Sequence, residues 1–154
     1  MLSYTNFNNE KLSPSFAKLD QERTSPAILR VVGVGGAGCN AIESMIARGI
    51  TGVDFVAINT DAQALAKSSA NHKIKIGTNI TRGLGAGADP NIGRKAAEES
   101  RDEISEVLAG SDMIFITCGE GGGTGTGASP VIASIAKSIG SLVIGIVTKP
   151  FNWE

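Results

Sequence analysis

The strongest chemical signal in the chain is carried by Gly119, Glu120, Gly121, Gly122, Gly123, Thr124, Gly125, Thr126 and Gly127. With few side chains in the way, backbone N–H groups here can converge on one anion, and Thr124 and Thr126 add hydroxyl donors. Glycine at this density costs folding entropy, so a bare backbone implies a task. A second cluster, Gly33, Val34, Gly35, Gly36, Ala37, Gly38, Cys39 and Asn40, follows an apolar run and opens a helical pattern. Its G-x-G-x-x-G spacing tightens the turn and brings a phosphate to the positive end of a helix dipole. A third cluster runs through Gly83, Leu84, Gly85, Ala86, Gly87, Ala88, Asp89 and Pro90.

The first loop is not a P-loop, because Cys39 and Asn40 stand where Lys and Ser/Thr are required. A Rossmann-type dinucleotide-binding oxidoreductase is the competing reading. It asks for an acid about 20 residues on, to hold a ribose hydroxyl. Asp61 is a loose match, and it reads equally as the N-cap of a short helix through Leu65. The second long glycine loop separates the readings, since a Rossmann domain has no use for it.

The elements that must carry these loops are legible from periodicity. Residues 28–34, 53–58, 113–117 and 142–147 are nearly continuous in Val, Ile, Leu and Phe, as strands covered on both faces of a parallel sheet are. Residues 73–76 alternate and suit an edge strand. Helical patterns lie between: one through Ala41, Ile42, Met45 and Ile46, stopped by Gly49; one long helix capped by Asp89, with Pro90 first and Gly110 after it; and a last helix from Ala128 with Gly140 beyond. Arg94 with Glu98 and Lys95 with Glu99 are expected as pairs on the solvated face of the long helix. Alternation of strand and helix predicts a doubly wound α/β fold with a mostly parallel sheet, whose ligands sit beyond the carboxyl ends of the strands. All three glycine clusters fall there.

Composition bounds the function classes. The 154 residues are 42% hydrophobic with a net charge of -1 and contain 20 glycines, nearly double the ordinary share. One folded domain is expected over residues 27–154, after a disordered extension over 1–26. The charge balance supplies no basic field for nucleic acid, and no apolar run is long enough to insert in a membrane. Two cysteines make no disulfide framework, and the N-terminus lacks a signal-peptide pattern, which points to a reducing cytoplasm. Cys39 and Cys118 both sit at strand-to-helix junctions and could lie near each other. His72 reads as a solvated loop residue without metal-ligand spacing.

The run Gly121, Gly122, Gly123, Thr124, Gly125, Thr126, Gly127 resembles the signature of the tubulin/FtsZ family of cytoskeletal GTPases. The first and third clusters, residues 59–65 and residues 148–152 are similar to the same family, and the likeness runs from about Ile28 to the last residue. The resemblance implies GTP or GDP with Mg2+ as cofactors. It places Gly35, Gly36, Ala37, Gly38, Cys39 and Asn40 on the nucleotide, with Asn40 at the base, and Asp61, Ala86, Gly87 and Ala88 near phosphates and metal. It further places Gly121, Gly122, Gly123, Thr124, Gly125 and Thr126 around the phosphates and Glu154 on the ribose; no residue of the chain is assigned to metal or to catalysis. It implies self-association into filaments, other cell-division proteins as partners, and a cytoplasmic place at the division site. Family members continue into an arginine, a central helix and a second domain whose acidic loop activates water in the neighbouring subunit. The chain stops at Glu154, before all of these, so it is expected to be an incomplete GTPase domain, either a fragment or a truncated product. If truncation is genuine, a non-hydrolysing regulator is a further reading.

Overall fold

The computed structural model describes residues 26–151. Five strands, β1 (Leu29–Val34), β2 (Asp54–Asn59), β3 (His72–Lys75), β4 (Met113–Gly119) and β5 (Leu142–Thr148), form one sheet in the order β3-β2-β1-β4-β5. Every pairing is parallel. Six helices connect them: α1 (Gly35–Ala47), α2 (Ala62–Ala66), α3 (Thr78–Thr81), α4 (Pro90–Glu99), α5 (Arg101–Leu108) and α6 (Thr124–Ser138).

Strand alternation splits the core in two. Val32 and Val34 of β1, with Ile114, Ile116 and Cys118 of β4, face α4, α5 and α6, where Ala96, Ile104, Leu108, Ile132 and Ile135 complete the larger cluster. Val31, Phe55 and Ala57 turn to the other side and pack with Cys39 and Ile42 of α1 and Leu65 of α2. Helices on both faces make the fold the doubly wound α/β type expected. The connection leaving β1 runs outward to β2, and the one returning from β3 enters on the opposite side at β4. The crevice between β1 and β4 at their carboxyl ends is therefore the switch point at which such sheets bind ligands.

Several expectations need correction. The long helix after Asp89 is two helices, because Ser100 leaves helical geometry (φ -99, ψ 21) and its Oγ accepts from Gly77 N at 3.2 Å. The Arg94–Glu98 pair forms at 3.9 Å, whereas Glu99 is engaged by the N–H and the amide of Asn79 rather than by Lys95. His72 is the exposed first residue of β3, the edge strand, and not a loop residue. Cys39 and Cys118 lie in clusters on opposite faces of the sheet, so they are not neighbours. β5, expected to be covered on both faces, is an edge strand with Leu142 and Ile146 more than half exposed. Its apolar pattern calls for a cover that, among the described residues, comes chiefly from α6.

Candidate functional site

α1 and α6 both begin inside their glycine clusters rather than after them, and the reason is steric. A Cβ on Gly33 would strike the carbonyl of Gly38, and one on Gly38 would strike the carbonyl of Thr117, so only glycine lets α1 turn back so tightly over β1 and β4. On α6, a Cβ at Gly125 would stand 2.6 Å from Gly119 O, and one at Gly127 would penetrate the backbone of Pro90. The two turns also press on each other: Gly35 has φ +70, and its Cβ would lie 2.9 Å from Gly125 N. Because β1 and β4 are neighbours in a parallel sheet, these packed turns set two helix N-termini side by side.

Between them opens a cleft of about 620 Å³ lined by Val34, Gly36, Ala37, Ala86, Ala88, Gly119, Glu120, Gly122, Gly123, Thr124, Gly125, Thr148, Lys149, Pro150 and Phe151. Gly36 and Gly122 have nothing within 4 Å of a built Cβ, so their bareness serves the cleft and not packing. The N-caps of α1 and α6, Val34 and Gly123, make no side-chain cap hydrogen bond, and neither helix has an acid in its first turn. The leading N–H groups of both helices, which have no partner within the helix, are thus available to an anion, and both dipoles favour one.

Of the residues that the family resemblance puts on the nucleotide, Gly36, Ala37, Ala86, Ala88, Gly122, Gly123, Thr124 and Gly125 line this cleft. The others have different surroundings. Gly35 and Gly38 are buried in the turn. The Cys39 thiol points into the core toward Gly33 O and Ile58 O, where burial pushes its pKa up to about 11. Asn40 is exposed in the second turn of α1. Asp61 accepts from Gln63 N at 2.8 Å and Ala64 N at 3.1 Å, which is the N-cap reading. Thr126 Oγ1 accepts from Gly121 N at 2.9 Å and so braces the glycine loop from within. Gly87, with nothing within 4 Å of a built Cβ, lies on the loop that brings Ala86 and Ala88 to the cleft. Gly123 lines the cleft, but its Cβ would point at Ala86 and Asp89 N, both 2.9 Å away, so its bareness also lets that loop close down. Glu154 lies outside the described residues.

Sequence reasoning overlooked Thr148, Lys149, Pro150 and Phe151 as cleft residues, and Thr60 behind it. Thr148 stands in register with Gly119, and Glu120 N donates to Thr148 O at 2.9 Å. The signal was available: in a parallel sheet the residues leaving β5 must emerge on the same edge as those leaving β4. Glu120 and Lys149 bring one charge of each sign to the lining. The Cys118 thiol donates to Glu120 Oε1 at 3.5 Å, and burial raises its pKa. Among the described residues no group of three His, Cys, Asp or Glu converges as a metal site.

Residues 28–154 match the family described as "Tubulin/FtsZ family, GTPase domain". The chain belongs to the tubulin/FtsZ family. The cell division protein FtsZ of Neisseria meningitidis serogroup A is 56% identical over 134 residues, which is 87% of this chain and 34% of that protein; the FtsZ of Neisseria gonorrhoeae is 55% identical over the same length. Among solved structures, an empty FtsZ dimer from M. jannaschii superposes with a TM-score of 0.81 at 52% identity, covering 91% of this chain and 41% of that one. CetZ2 from Haloferax volcanii, solved as a GTPγS-bound protofilament, gives 0.63 at 28% identity over 77% of this chain and 39% of its own. The chain thus spans about a third of the length of the curated FtsZ relatives it matches. Nothing favours the Rossmann oxidoreductase reading: Asp61, which that reading needs on a ribose, caps α2 instead.

Proposed function

We propose that this chain is the nucleotide-binding part of an FtsZ-type GTPase that polymerises into filaments for the bacterial division ring. One observation carries the reading: the uncapped N-termini of α1 and α6 converge on a single cleft whose glycines at 36 and 122 leave room for a ligand. Backbone amides at two helix ends suit the clustered charge of a di- or triphosphate better than any neutral ligand. Gly36, Ala37, Gly122, Gly123, Thr124 and Gly125 would hold the phosphates, with Ala86 and Ala88 closing over them. Asn40 would contact the base and Glu154 the ribose. Lys149 adds a cation at the rim. The two Neisseria relatives named above are cell-division proteins, and one structural neighbour was solved as a GTPγS-bound protofilament, which supports guanine nucleotide as ligand and copies of the same protein as partners.

Mg2+ bound with the nucleotide would neutralise phosphate charge. Among the described residues Glu120 is the one carboxylate in the lining, so the cation would be held chiefly by the phosphates, with Glu120 as the contribution of those residues. Hydrolysis also needs water positioned in line. The family resemblance assigns that step to an acidic loop of an adjacent subunit, so the isolated chain is expected to bind without turnover. Other division proteins and a cytoplasmic site at the division ring belong to the same proposal. No helix among the described residues is long and apolar enough to cross a membrane. Calorimetric titration of the full chain with GDP and with NAD tests the reading. Binding of GDP and indifference to NAD is expected; tight NAD binding with no response to GDP would overturn it.

A further inference from the structure

Thr60, the residue after β2, is completely buried yet does not line the cleft. Among the described residues its hydroxyl has one partner, Thr124 Oγ1 at 2.7 Å. A buried hydroxyl proton without an acceptor is costly, and that fixes the direction of the bond. If Thr124 were the donor, the proton of Thr60 would have nowhere to go. With Thr60 donating, Thr124 accepts, and its own proton remains to be directed into the cleft that Thr124 lines. A hydroxyl that accepts one hydrogen bond is polarised into a better donor of the next. The backbone carbonyl of Thr60 has a second set of partners, accepting from Gly85 N at 3.3 Å and Thr81 Oγ1 at 3.4 Å. One buried residue therefore joins the end of β2, the loop bearing Ala86 and Ala88, and the first residue of α6.

We propose that Thr60 is a positioning residue that orients the Thr124 hydroxyl as a donor to a phosphate oxygen of the bound nucleotide. The inference rests on the guanine-nucleotide reading above. Valine at position 60 keeps the shape and removes the donor, so Thr60→Val is expected to weaken GDP and GTP binding to the full chain by about tenfold, while Thr60→Ser stays within about twofold of wild type. In a Thr124→Val background the valine at 60 should cost no further affinity, because the group it acts through is gone. A merely structural role would instead weaken binding equally in both backgrounds and overturn the proposal, as would an unchanged affinity in Thr60→Val. Should the valine chain not fold, Thr60→Ala against Thr60→Ser makes the same comparison, with urea unfolding of the ligand-free chains recorded alongside. Wild-type chain that binds neither GDP nor GTP would overturn this proposal together with the nucleotide reading; wild-type binding with no effect at position 60 overturns this proposal alone.

Discussion

α2 and α4 close their N-termini with their own aspartates, while α1 and α6 leave theirs open. Asp61 takes the N–H groups of Gln63 and Ala64, and Asp89 takes that of Asn91 at 2.8 Å, with Pro90 removing another donor. Val34 and Gly123, at the corresponding places on α1 and α6, offer no side chain to the amides. α5 is also uncapped, but Asp102 and Glu103 in its first turn answer its dipole, and α3 is a single turn. A helix that carries its own carboxylate has already satisfied the amides that would bind an anion; one without it selects an anion from outside. The two open ends are also the two that meet across the switch point of the sheet, and that coincidence distinguishes a site from a pair of poorly capped helices.

The largest effect is expected where the open end of α6 leans on the closed end of α4. Gly127→Val would drive a branched side chain into the backbone of Pro90 and Arg94, and neither can yield without moving a helix. A loss of about 3 kcal/mol or more in urea unfolding is expected, and with it all nucleotide binding. A chain of wild-type stability would show that the two helices do not depend on this contact for their placement.

Converting an open end into a closed one breaks the comparison directly. Gly36→Asp puts a carboxylate in the first turn of α1, where a built Cβ meets nothing within 4 Å. Stability should stay level or rise by about 0.5 kcal/mol through the dipole, while GDP affinity measured by calorimetry should fall at least about tenfold as like charge meets phosphate. Affinity that survives the substitution would mean that α1 does not face the ligand.

The contrast was half legible in the residues. Asp89 followed by Pro90 announces a capped helix, and the glycine clusters announce backbone in close approach, because those residue types act locally. What could not be read was which glycine does which task. Gly36 and Gly122 face open space, whereas Gly38, Gly125 and Gly127 are bare because another backbone lies against them; that distinction depends on neighbours far along the chain. The parallel sheet and both faces of helices followed from periodicity. The break at Ser100 did not, since it is fixed by a bond from Gly77 across 23 residues. Thr60 was invisible for the same reason, its partner lying 64 residues away.

A closed end should behave in the opposite way to an open one. Asp61→Ala removes the acceptor for two amides of α2 and is expected to cost about 1 kcal/mol of stability, with Asp61→Asn recovering most of it, because asparagine caps as well as aspartate. GDP affinity of the asparagine chain should remain within about twofold of wild type. A large fall in that chain would put the Asp61 charge on the ligand or its cation in addition to the cap.

The smallest expected effect comes from a carboxylate that closes a turn rather than a helix. Glu43 of α1 reaches out to accept from Ser68 Oγ and Ser69 N, both at 2.7 Å, and so ties α1 to the turn after α2. Ser68 is buried, so its hydroxyl relies on this partner. The hydrogen bond from Ser68 foremost, with that from Ser69 N and the charge of Lys73, holds the Glu43 carboxyl below its ordinary value of 4.5. The sign follows from linkage: a carboxylate whose pKa is lower folded than unfolded stabilises the fold above the unfolded value, and that contribution is lost as pH falls through the folded one. Because the group is largely open to solvent, the effect should be only a few tenths of a kcal/mol. Glu43→Gln should therefore unfold slightly earlier than wild type in urea at pH 7, and the gap should close as the pH is lowered below the ordinary carboxyl range. A gap that persists unchanged at low pH would assign the contribution of Glu43 to shape and not to charge.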